Sequence, residues 1–166
     1  MALNPAYEAI GKGFVQQYYA LFDDPSQRPN LVNMYNVETS FMTFEGIQLQ
    51  GSKNIMEKLT SLSFQKINRL ITAVDSQPMF DGGVLINVLG RLQTDEDPAH
   101  AYIQTFVLKP IGTSFYVQHD VFRLALHDSC DDDPPHAYSQ IFVLKPLGGS
   151  FYCAHDIFRL NIHNSA

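Results

Sequence analysis

All six histidines of this chain lie beyond residue 99, and three of them, His119, His127 and His155, are followed directly by aspartate. His119–Asp120 and His155–Asp156 could each pair as a general base and the carboxylate that orients it. Both pairs fall in predicted strands, however, where adjacent side chains point to opposite faces. Along the same strand, His119 and His127 are too far apart to share a metal ion. We therefore predict structural histidines, with no catalytic residue, no bound metal and no cofactor.

A second group of residues able to do chemistry is a set of acids on predicted turns. Glu45 lies in the TFEG turn, and Asp95 and Asp97 lie in the DEDP turn. Taken alone, carboxylates on turns are usually solvated. The formal net charge is -6 and no run of Lys or Arg occurs. This balance disfavours nucleic acid or an anionic membrane as a partner and favours a basic protein surface.

Composition predicts one domain that stays inside the cell. Hydrophobic residues make up 45% of the chain, which is enough for a single sizeable core. No apolar stretch is long enough to span a membrane, and the N-terminus lacks the features of a signal peptide. Cys130 and Cys153 have no CxxC spacing, so neither a disulfide framework nor a zinc site is predicted.

Two helices are predicted in the first part of the chain. Asn4 followed by Pro5 is a helix-start signal, and apolar residues then recur at every fourth position as far as Phe22. A shorter helical turn is expected between residues 26 and 35. Ser52 is the predicted cap of the second helix. The apolar residues of that helix are Ile55, Leu59 and Leu62.

Strands account for the rest of the pattern. The segment SFMTFEGIQLQG predicts two short strands about the Glu45–Gly46 turn. Later segments rich in Ile, Val, Phe and Tyr predict further strands near residues 65–74, 83–93, 100–109 and 114–126. Helices first and strands afterwards are typical of an α+β domain with an antiparallel sheet. Several strands are apolar on both faces, which predicts a homodimer formed by two sheets.

The end of the chain is a tandem repeat. Residues 95–130 recur as residues 131–166, with 23 of 36 positions identical. Two copies are too few to stack as a solenoid. We therefore predict one domain over residues 1–130 and an extra or alternative terminal hairpin over residues 131–166. Loop-closure entropy favours the first copy in the sheet by about 2 kcal/mol.

The second copy is then a spare hairpin that is too apolar to remain solvated. It is expected to dock on a sheet edge, swap into a partner, aggregate or stay disordered. Each copy ends like a C-terminus, LALHDSC against LNIHNSA. We hypothesise alternative terminal segments joined in one reading frame by alternative splicing, by a gene-model error or by a recent duplication. The sequence leaves open which copy occupies the native sheet.

Several segments together resemble the nuclear transport factor 2 family. In order, they are GKGFVQQYYALFDD, SFMTFEG, LSFQKI, DSQP, GGVLINVLGRLQ, DEDP and DIFRLNIHN. The resemblance implies a cystatin-like cone in which N-terminal helices pack in a bent sheet. It also implies a homodimer that carries the GDP form of the small GTPase Ran through nuclear pores by binding phenylalanine-glycine repeats of nucleoporins. Such a protein would occupy cytoplasm and nucleus and concentrate at the nuclear envelope.

The same resemblance implies which residues would bind. The acidic rim for Ran would be Glu45, Asp95 and Asp97, with Asp131 and Asp133 as alternates from the second copy. The cavity for Ran would be lined by Phe44, Leu62, Phe64, Ile67, Leu92 and Phe122, with Phe158 as the alternate for Phe122. The nucleoporin site would be Asn4, Pro5 and Tyr7. Arg69 would place a cation beside a site for a basic partner and weaken it.

Two other functions remain open at this point. The same cone architecture hosts isomerases and dehydratases, which place an acid in the cavity. Asp120 shares strand parity with Phe122, so it is expected to point inwards, and burial would raise its pKa. The third possibility is a cargo-defective variant that dimerises and binds nucleoporins without carrying Ran.

Overall fold

A computed structural model describes residues 3–126 and 136–163. The chain divides into two compact units, Met1–Ala125 and Leu126–Ala166. The predicted residues Asp131 and Asp133 lie outside the described residues, as does His127. None of the described helices is long and apolar enough to cross a membrane.

The first helix, α1, spans Tyr7–Phe22 and begins later than the Asn4–Pro5 signal predicts. Its N-cap is Ala6, which makes no side-chain capping bond. Instead, Asn4 Oδ1 accepts a hydrogen bond from the Ala6 backbone N–H at 2.9 Å, so the asparagine organises a turn just before the helix. The predicted start is therefore wrong by about half a turn, because the asparagine can satisfy a nearby N–H without forming the cap itself.

The remaining helical segments are short. A 3₁₀-helix covers Arg28–Met34, within the predicted region. Helix α2 spans Ser52–Thr60, and its N-cap is Gly51, whose φ of 82° favours glycine. Ser52 is thus the first helical residue rather than the cap, and Leu62 lies beyond the helix end. Both details differ from the sequence prediction.

Six strands form the sheet of the first unit, in the order β2-β1-β6-β5-β4-β3. Their bounds are β1 Phe41–Phe44, β2 Ile47–Gln50, β3 Ile67–Pro78, β4 Val84–Thr94, β5 His100–Ile111 and β6 Ser114–Leu124. All neighbours are antiparallel except β1 and β6, which are parallel. The cystatin-like α+β fold is confirmed, with a mixed sheet instead of a purely antiparallel one. The parallel pair arises where the β1–β2 hairpin, near the start of the chain, adds β1 to the edge of the later β5–β6 hairpin.

The core of the first unit lies between α1 and the inner face of this sheet. Tyr18 of α1 and Phe106 of β5 are fully buried and meet edge to face, with ring centroids 4.9 Å apart. Register shifts interrupt β3 between Ile71 and Ala73 and the β5–β6 pair at Val107/Leu108. Such bulges bend and twist strands, which lets the sheet curve around the helix.

The second unit is a two-stranded antiparallel hairpin, β7 Tyr138–Leu147 and β8 Ser150–Leu160. This hairpin is the extra C-terminal element that the repeat predicts. Its strands pair from Tyr138–Leu160 at the open end to Leu147–Ser150 at the turn.

Candidate functional site

One cavity of about 460 Å³ opens in the first unit. It lies where the end of α1, strand β1 and the ends of β3 to β6 meet the segment between α2 and β3. The six apolar residues that the resemblance selects, Phe44, Leu62, Phe64, Ile67, Leu92 and Phe122, all line this cavity. The other lining residues are Phe22, Met42, Glu45, Arg69, Thr94, Asp97, Pro98, His100, Gln104 and Leu124.

The parallel pairing of β1 with β6 builds the aromatic wall. It places Phe44 directly beside Phe122, and their rings stack 5.0 Å apart at an angle of 15°. Tyr102 of β5 continues the stack behind Phe122, with centroids 5.7 Å apart. Lys58 Nζ lies 5.5 Å from the centre of the Phe44 ring. The result is a wall of stacked aromatic rings that suits contact with another aromatic or aliphatic side chain.

Two of the three predicted rim acids lie at this cavity. Glu45 has a φ of 49°, and its side chain accepts a hydrogen bond from the Leu124 backbone N–H, which ties the β1–β2 turn to β6. Asp97 is exposed on the β4–β5 turn and lines the mouth. These two carboxylates place negative charge at the edge of a largely apolar cavity.

Asp95, the third predicted acid, does not line the cavity. Its Oδ1 accepts hydrogen bonds from the backbone N–H groups of Gln65 at 3.0 Å and Lys66 at 2.9 Å. The carboxylate therefore fastens the β4–β5 turn to the segment that leads into β3. Phe158, the alternate for Phe122, is exposed on β8 in the second unit.

Arg69 lines the cavity, and an ion pair with Asp23 neutralises its charge. Its guanidinium makes a bidentate contact with Asp23, with Nε 2.9 Å from Oδ2 and Nη2 2.7 Å from Oδ1. It also stacks on Tyr19, with the guanidinium carbon 3.8 Å from the ring centre. Burial is the largest single influence and lowers the pKa of Arg69, but the hydrogen bonds to Asp23 and the electrostatic effects of Tyr19, Tyr102 and Asp23 together raise it. The expectation that Arg69 repels a basic partner is therefore weakened, because Asp23 at the end of α1 cancels its charge.

A buried polar network lies between the helix layer and the sheet. Asp120 accepts hydrogen bonds from Tyr35 at 2.8 Å, Tyr18 at 3.3 Å and Gln104 Nε2 at 2.8 Å. Gln104 in turn accepts one from Tyr19 at 2.9 Å. Burial raises the pKa of Asp120 to about 6, while the hydrogen bonds from Gln104, Tyr35 and Tyr18 act in the opposite direction.

This network corrects the expectation that Asp120 is an acid of the cavity. Its inward direction and raised pKa follow the strand parity, but Asp120 is absent from the cavity wall and all three donors hold it in place. His119, the next residue, lies on the opposite face and stacks on Phe41 at 5.9 Å. Burial and nearby Lys109 lower the pKa of His119. The two residues therefore cannot act as a base and its orienting acid.

The three residues predicted for nucleoporin binding lie at the start of α1. Asn4 is half-buried and forms the turn described above, Pro5 is exposed, and Tyr7 is half-buried against the core. They are adjacent along the chain and none of them lines the cavity. Tyr7 therefore contributes to the packing of α1 against the core.

Comparison with known proteins identifies the family. The nuclear transport factor 2 (NTF2) domain matches residues 10–124 of this chain. The chain belongs to the nuclear transport factor 2 family. A probable nuclear transport factor 2 from Caenorhabditis elegans is 44% identical over 133 residues, covering 78% of this chain and 100% of that protein. Nuclear transport factor 2 from Cryptosporidium parvum has a similar structure, with a TM-score of 0.70 and 39% identity over 75% of this chain and 98% of that one.

Family membership supports a nuclear transport role, with passage between cytoplasm and nucleus, rather than an enzymatic one. The nuclear transport factor 2 architecture also occurs in a putative scytalone dehydratase from Novosphingobium aromaticivorans, with a TM-score of 0.62. That protein is 9% identical, and the likeness covers 72% of this chain and 84% of the other. At such low identity the likeness shows the shared fold alone.

Sequence reasoning missed several residues of the cavity. Gln104 could have been found, because it shares strand parity with the inward-facing Tyr102 and Phe106. Phe22 was assigned only to the apolar stripe of α1, although it ends that stripe at the cavity. The Arg69–Asp23 pair joins residues 46 positions apart, and a local sequence pattern cannot predict such a contact.

Proposed function

We propose that this protein is a nuclear import carrier that binds the GDP form of Ran and phenylalanine-glycine repeats of nucleoporins as a homodimer. The observation that carries the proposal is an aromatic-walled cavity with carboxylates at its mouth, in a chain of the nuclear transport factor 2 family. Without the family, the cavity would indicate only an apolar ligand with a basic neighbour.

The cavity suits a phenylalanine side chain that is flanked by basic residues. Phe44 and Phe122 would contact an inserted ring, and Leu92, another lining residue, would add apolar contact. Asp97 and Glu45 would pair with Lys or Arg around the entrance. Truncating one partner of a desolvated charge pair of this kind costs about 2–5 kcal/mol, because the other charge is left unpaired.

Asp95 would act on Ran binding indirectly, unlike Glu45 and Asp97, because it does not line the cavity. Because it holds the backbone of Gln65 and Lys66, it would set the position of the β4–β5 turn that carries Asp97. Loss of Asp95 would then weaken Ran binding by moving Asp97, and it would also destabilise the free protein. Loss of Asp97 would weaken binding without that second effect.

The proposed dimer uses the face of the sheet opposite the helices. On β1 and β6, Phe41 and Val121 alternate with the core residues Met42 and Phe122 and so lie on this second face, where they are 46% and 42% exposed. An apolar second face is what two associating sheets require. Asn4, Pro5 and Tyr7 stay a proposed nucleoporin site at the start of α1, and that binding would concentrate the protein at nuclear pores.

Binding of purified Ran loaded with GDP or GTP tests the proposal. We expect the protein to bind GDP-loaded Ran and to discriminate against the GTP-loaded form. Asp97→Lys should weaken binding at least thirtyfold, which corresponds to about 2 kcal/mol. Glu38→Lys makes the same charge change at an exposed position outside the cavity and should bind like the parent.

Two results would count against the carrier. Equal binding by the parent and Asp97→Lys would remove the acidic rim from the Ran site. A dimer that binds nucleoporin repeats but neither form of Ran would indicate a cargo-defective competitor instead.

A further inference from the structure

The second hairpin reproduces the geometry of the first. In β5–β6 the pairs run from Tyr102–Leu124 to Ile111–Ser114, and in β7–β8 they run from Tyr138–Leu160 to Leu147–Ser150. Both hairpins shift register at the same place, between Val107 and Leu108 in one and between Val143 and Leu144 in the other. The turns match too, with Gly112 at a φ of 59° and Gly148 at 60°. The second copy therefore adopts the same hairpin geometry as the first.

The two hairpins are nearly identical on the face that meets the helices. In the first copy that face consists of Tyr102, Gln104, Phe106, Leu108, Phe115, Val117, Asp120, Phe122 and Leu124. Each of these residues recurs 36 positions later, except that Cys153 takes the place of Val117. The copies differ more on the opposite face, where Ser139, Ile141 and Ile157 stand for Ile103, Thr105 and Val121. The repeat thus retains what the helix layer contacts.

A side-chain hydrogen bond is also repeated. Gln104 Nε2 donates to Asp120 Oδ1 at 2.8 Å, and Gln140 Nε2 donates to Asp156 Oδ1 at 2.7 Å. In the first unit this pair is buried under the tyrosines of α1. In the second unit Gln140 is half-buried and Asp156 is exposed. The hairpin therefore carries a preformed polar pair of the kind that the tyrosine layer binds.

The apolar residues of this face are covered in one copy and exposed in the other. Phe106, Leu108 and Phe122 are 0%, 1% and 9% exposed. Their counterparts Phe142, Leu144 and Phe158 are 55%, 56% and 56% exposed. This exposed face matches, residue by residue, a face that is buried in the first unit. The surface that could cover it is therefore the one that covers β5–β6, which is built mainly by helix α1.

We propose that β7–β8 exchanges with β5–β6 in the sheet of its own chain. In the exchanged state β7 would pair with β4, β8 would pair with β1, and residues 95–130 would form the spare hairpin. This inference concerns the fold itself and does not depend on Ran or nucleoporin binding.

Two differences bias the exchange toward the first copy. The connection from β4 lengthens from residues 95–99 to residues 95–137, which is 5 against 43 residues. Loop closure then favours β5–β6 about 25-fold. In addition, Thr105 Oγ1 donates to the buried Asn87 Oδ1 at 2.9 Å, and Ile141 at the matching position cannot. The exchanged state is therefore a minor population that a defect in β5–β6 would make dominant.

The exchange also changes the second face of the sheet. Ser139 would replace Ile103, and Ile141 would replace Thr105. If this face forms the proposed dimer, the two states present different surfaces to a partner subunit.

Matched single and double variants of the full chain test the exchange. Phe106→Asp places a charge in the core position of β5, and its cost exceeds the combined bias from loop closure and the Asn87 hydrogen bond, which is about 250-fold. Phe142→Asp makes the same change in β7, and the third variant carries both. Hydrogen exchange read by mass spectrometry distinguishes the copies, because peptides from 102–124 and 138–160 differ in mass.

In the parent and in Phe142→Asp we expect slow exchange in 102–124. In Phe106→Asp we expect protection to move to 138–160, with exchange slowed there at least tenfold relative to the parent, and in the double variant we expect neither copy to be protected. A Phe106→Asp chain as unprotected as the double variant would overturn the proposal. So would loss of protection in 102–124 on Phe142→Asp. Protection of 138–160 that appears only with rising concentration and a doubled mass would place the exchange between chains, against the proposal.

A milder pair of substitutions tests the bias itself. Thr105→Ile combined with Ile141→Thr transfers the partner of Asn87 to the second copy without placing any charge in the core. One buried hydrogen bond is worth about tenfold in an equilibrium. The swap removes this bond from the first state and adds it to the exchanged state, so the ratio of exchanged to first state should rise about a hundredfold. Unchanged exchange rates in 102–124 would contradict the proposed competition.

Discussion

Asp120 is a buried acid whose protonation is linked to folding. Its pKa is about 6 in the folded chain against an ordinary value of 3.8, because burial outweighs its three hydrogen bonds. Well below pH 3.8 the carboxyl is protonated in both states and its pKa shift does not affect stability. As the pH rises from 4 to 6 the unfolded chain loses this proton first, so the folded state is destabilised by up to about 3 kcal/mol.

Replacing Asp120 with Asn should remove this titration. Relative to the parent, the free energy of unfolding of Asp120→Asn is expected to rise between pH 4 and pH 6.5 and then to level off. Urea unfolding followed by circular dichroism at several pH values measures that difference. Glu38→Gln removes an exposed carboxyl and serves as the control. A difference between Asp120→Asn and the parent that stays constant with pH would contradict the assignment.

The Arg69–Asp23 pair allows a second test. The Arg69 side chain is only 6% exposed, so Arg69→Met leaves Asp23 without its partner in a partly buried site. We expect this variant to lose about 2–4 kcal/mol of stability, with Asp23→Leu/Arg69→Met recovering most of the loss. Arg91→Met, at an exposed position on β4, is the matched control and should change stability little. A double variant no more stable than the single one would argue that the two side chains act separately.

Single residues were predictable where strand parity and family resemblance agreed. Phe44, Leu92 and Phe122 line the cavity as expected, because each lies on a strand whose direction the sequence pattern indicates. The parity argument also applied to Asp120, but its three hydrogen-bond donors come from distant elements. Contacts such as that between Asp23 and Arg69 depend on how the sheet wraps the helix end, and no local pattern encodes them.

Strand packing depends on Gly90 in β4. A Cβ at this position would lie 2.6 Å from both the Leu70 carbonyl oxygen and Tyr102 Cε1. Gly90→Ala should therefore lower the free energy of unfolding by about 1–3 kcal/mol, because backbone and ring must both move. Gly13→Ala is the control in helix α1, where nothing lies within 4 Å and the change should stabilise by about 0.5–1 kcal/mol. Thermal unfolding of both variants measures the two stability changes. Equal changes for Gly90→Ala and Gly13→Ala would exclude close packing around Gly90 as the cause.

At the scale of elements, the strands were easier to predict than the helix starts. Runs of β-branched and aromatic residues between turn signals identified β3 to β6 within a few residues. The caps were wrong because Asn4 and Ser52 can each satisfy a local backbone group in more than one way. The parallel pairing of β1 and β6 was missed because it joins segments about 80 residues apart, and turn chemistry determines only local connections.

The duplicated ending predicts behaviour of the whole molecule. A chain that ends after Ser129 keeps β5–β6 and the whole cavity. We expect it to fold, to form the proposed dimer and to bind Ran with the same affinity as the full chain. The full chain should also self-associate as its concentration rises, because Phe142, Leu144 and Phe158 are exposed. Light scattering with and without Ran separates these expectations, and Ran binding by the truncated form alone would mean that the second copy disables the carrier.

The repeat and its hairpin geometry were visible in the sequence, as was the fold. The match between the inward-facing residues of the two copies became clear only from the strand pairing and the burial in the structure. Sequence identity between the copies does not show which of the shared positions face the helices.

The tandem arrangement also means that the ribosome synthesises the first hairpin before the second. β6 is the strand that receives β1, so the aromatic wall cannot form until residue 124 has been synthesised. The equivalent residue of the second copy follows 36 positions later, which takes about 2–7 s at ordinary translation rates. A hairpin forms in microseconds, so the first copy has time to reach the sheet before a competitor exists. Synthesis and loop closure therefore favour the same hairpin, whereas refolding of the finished chain from denaturant would lack this head start.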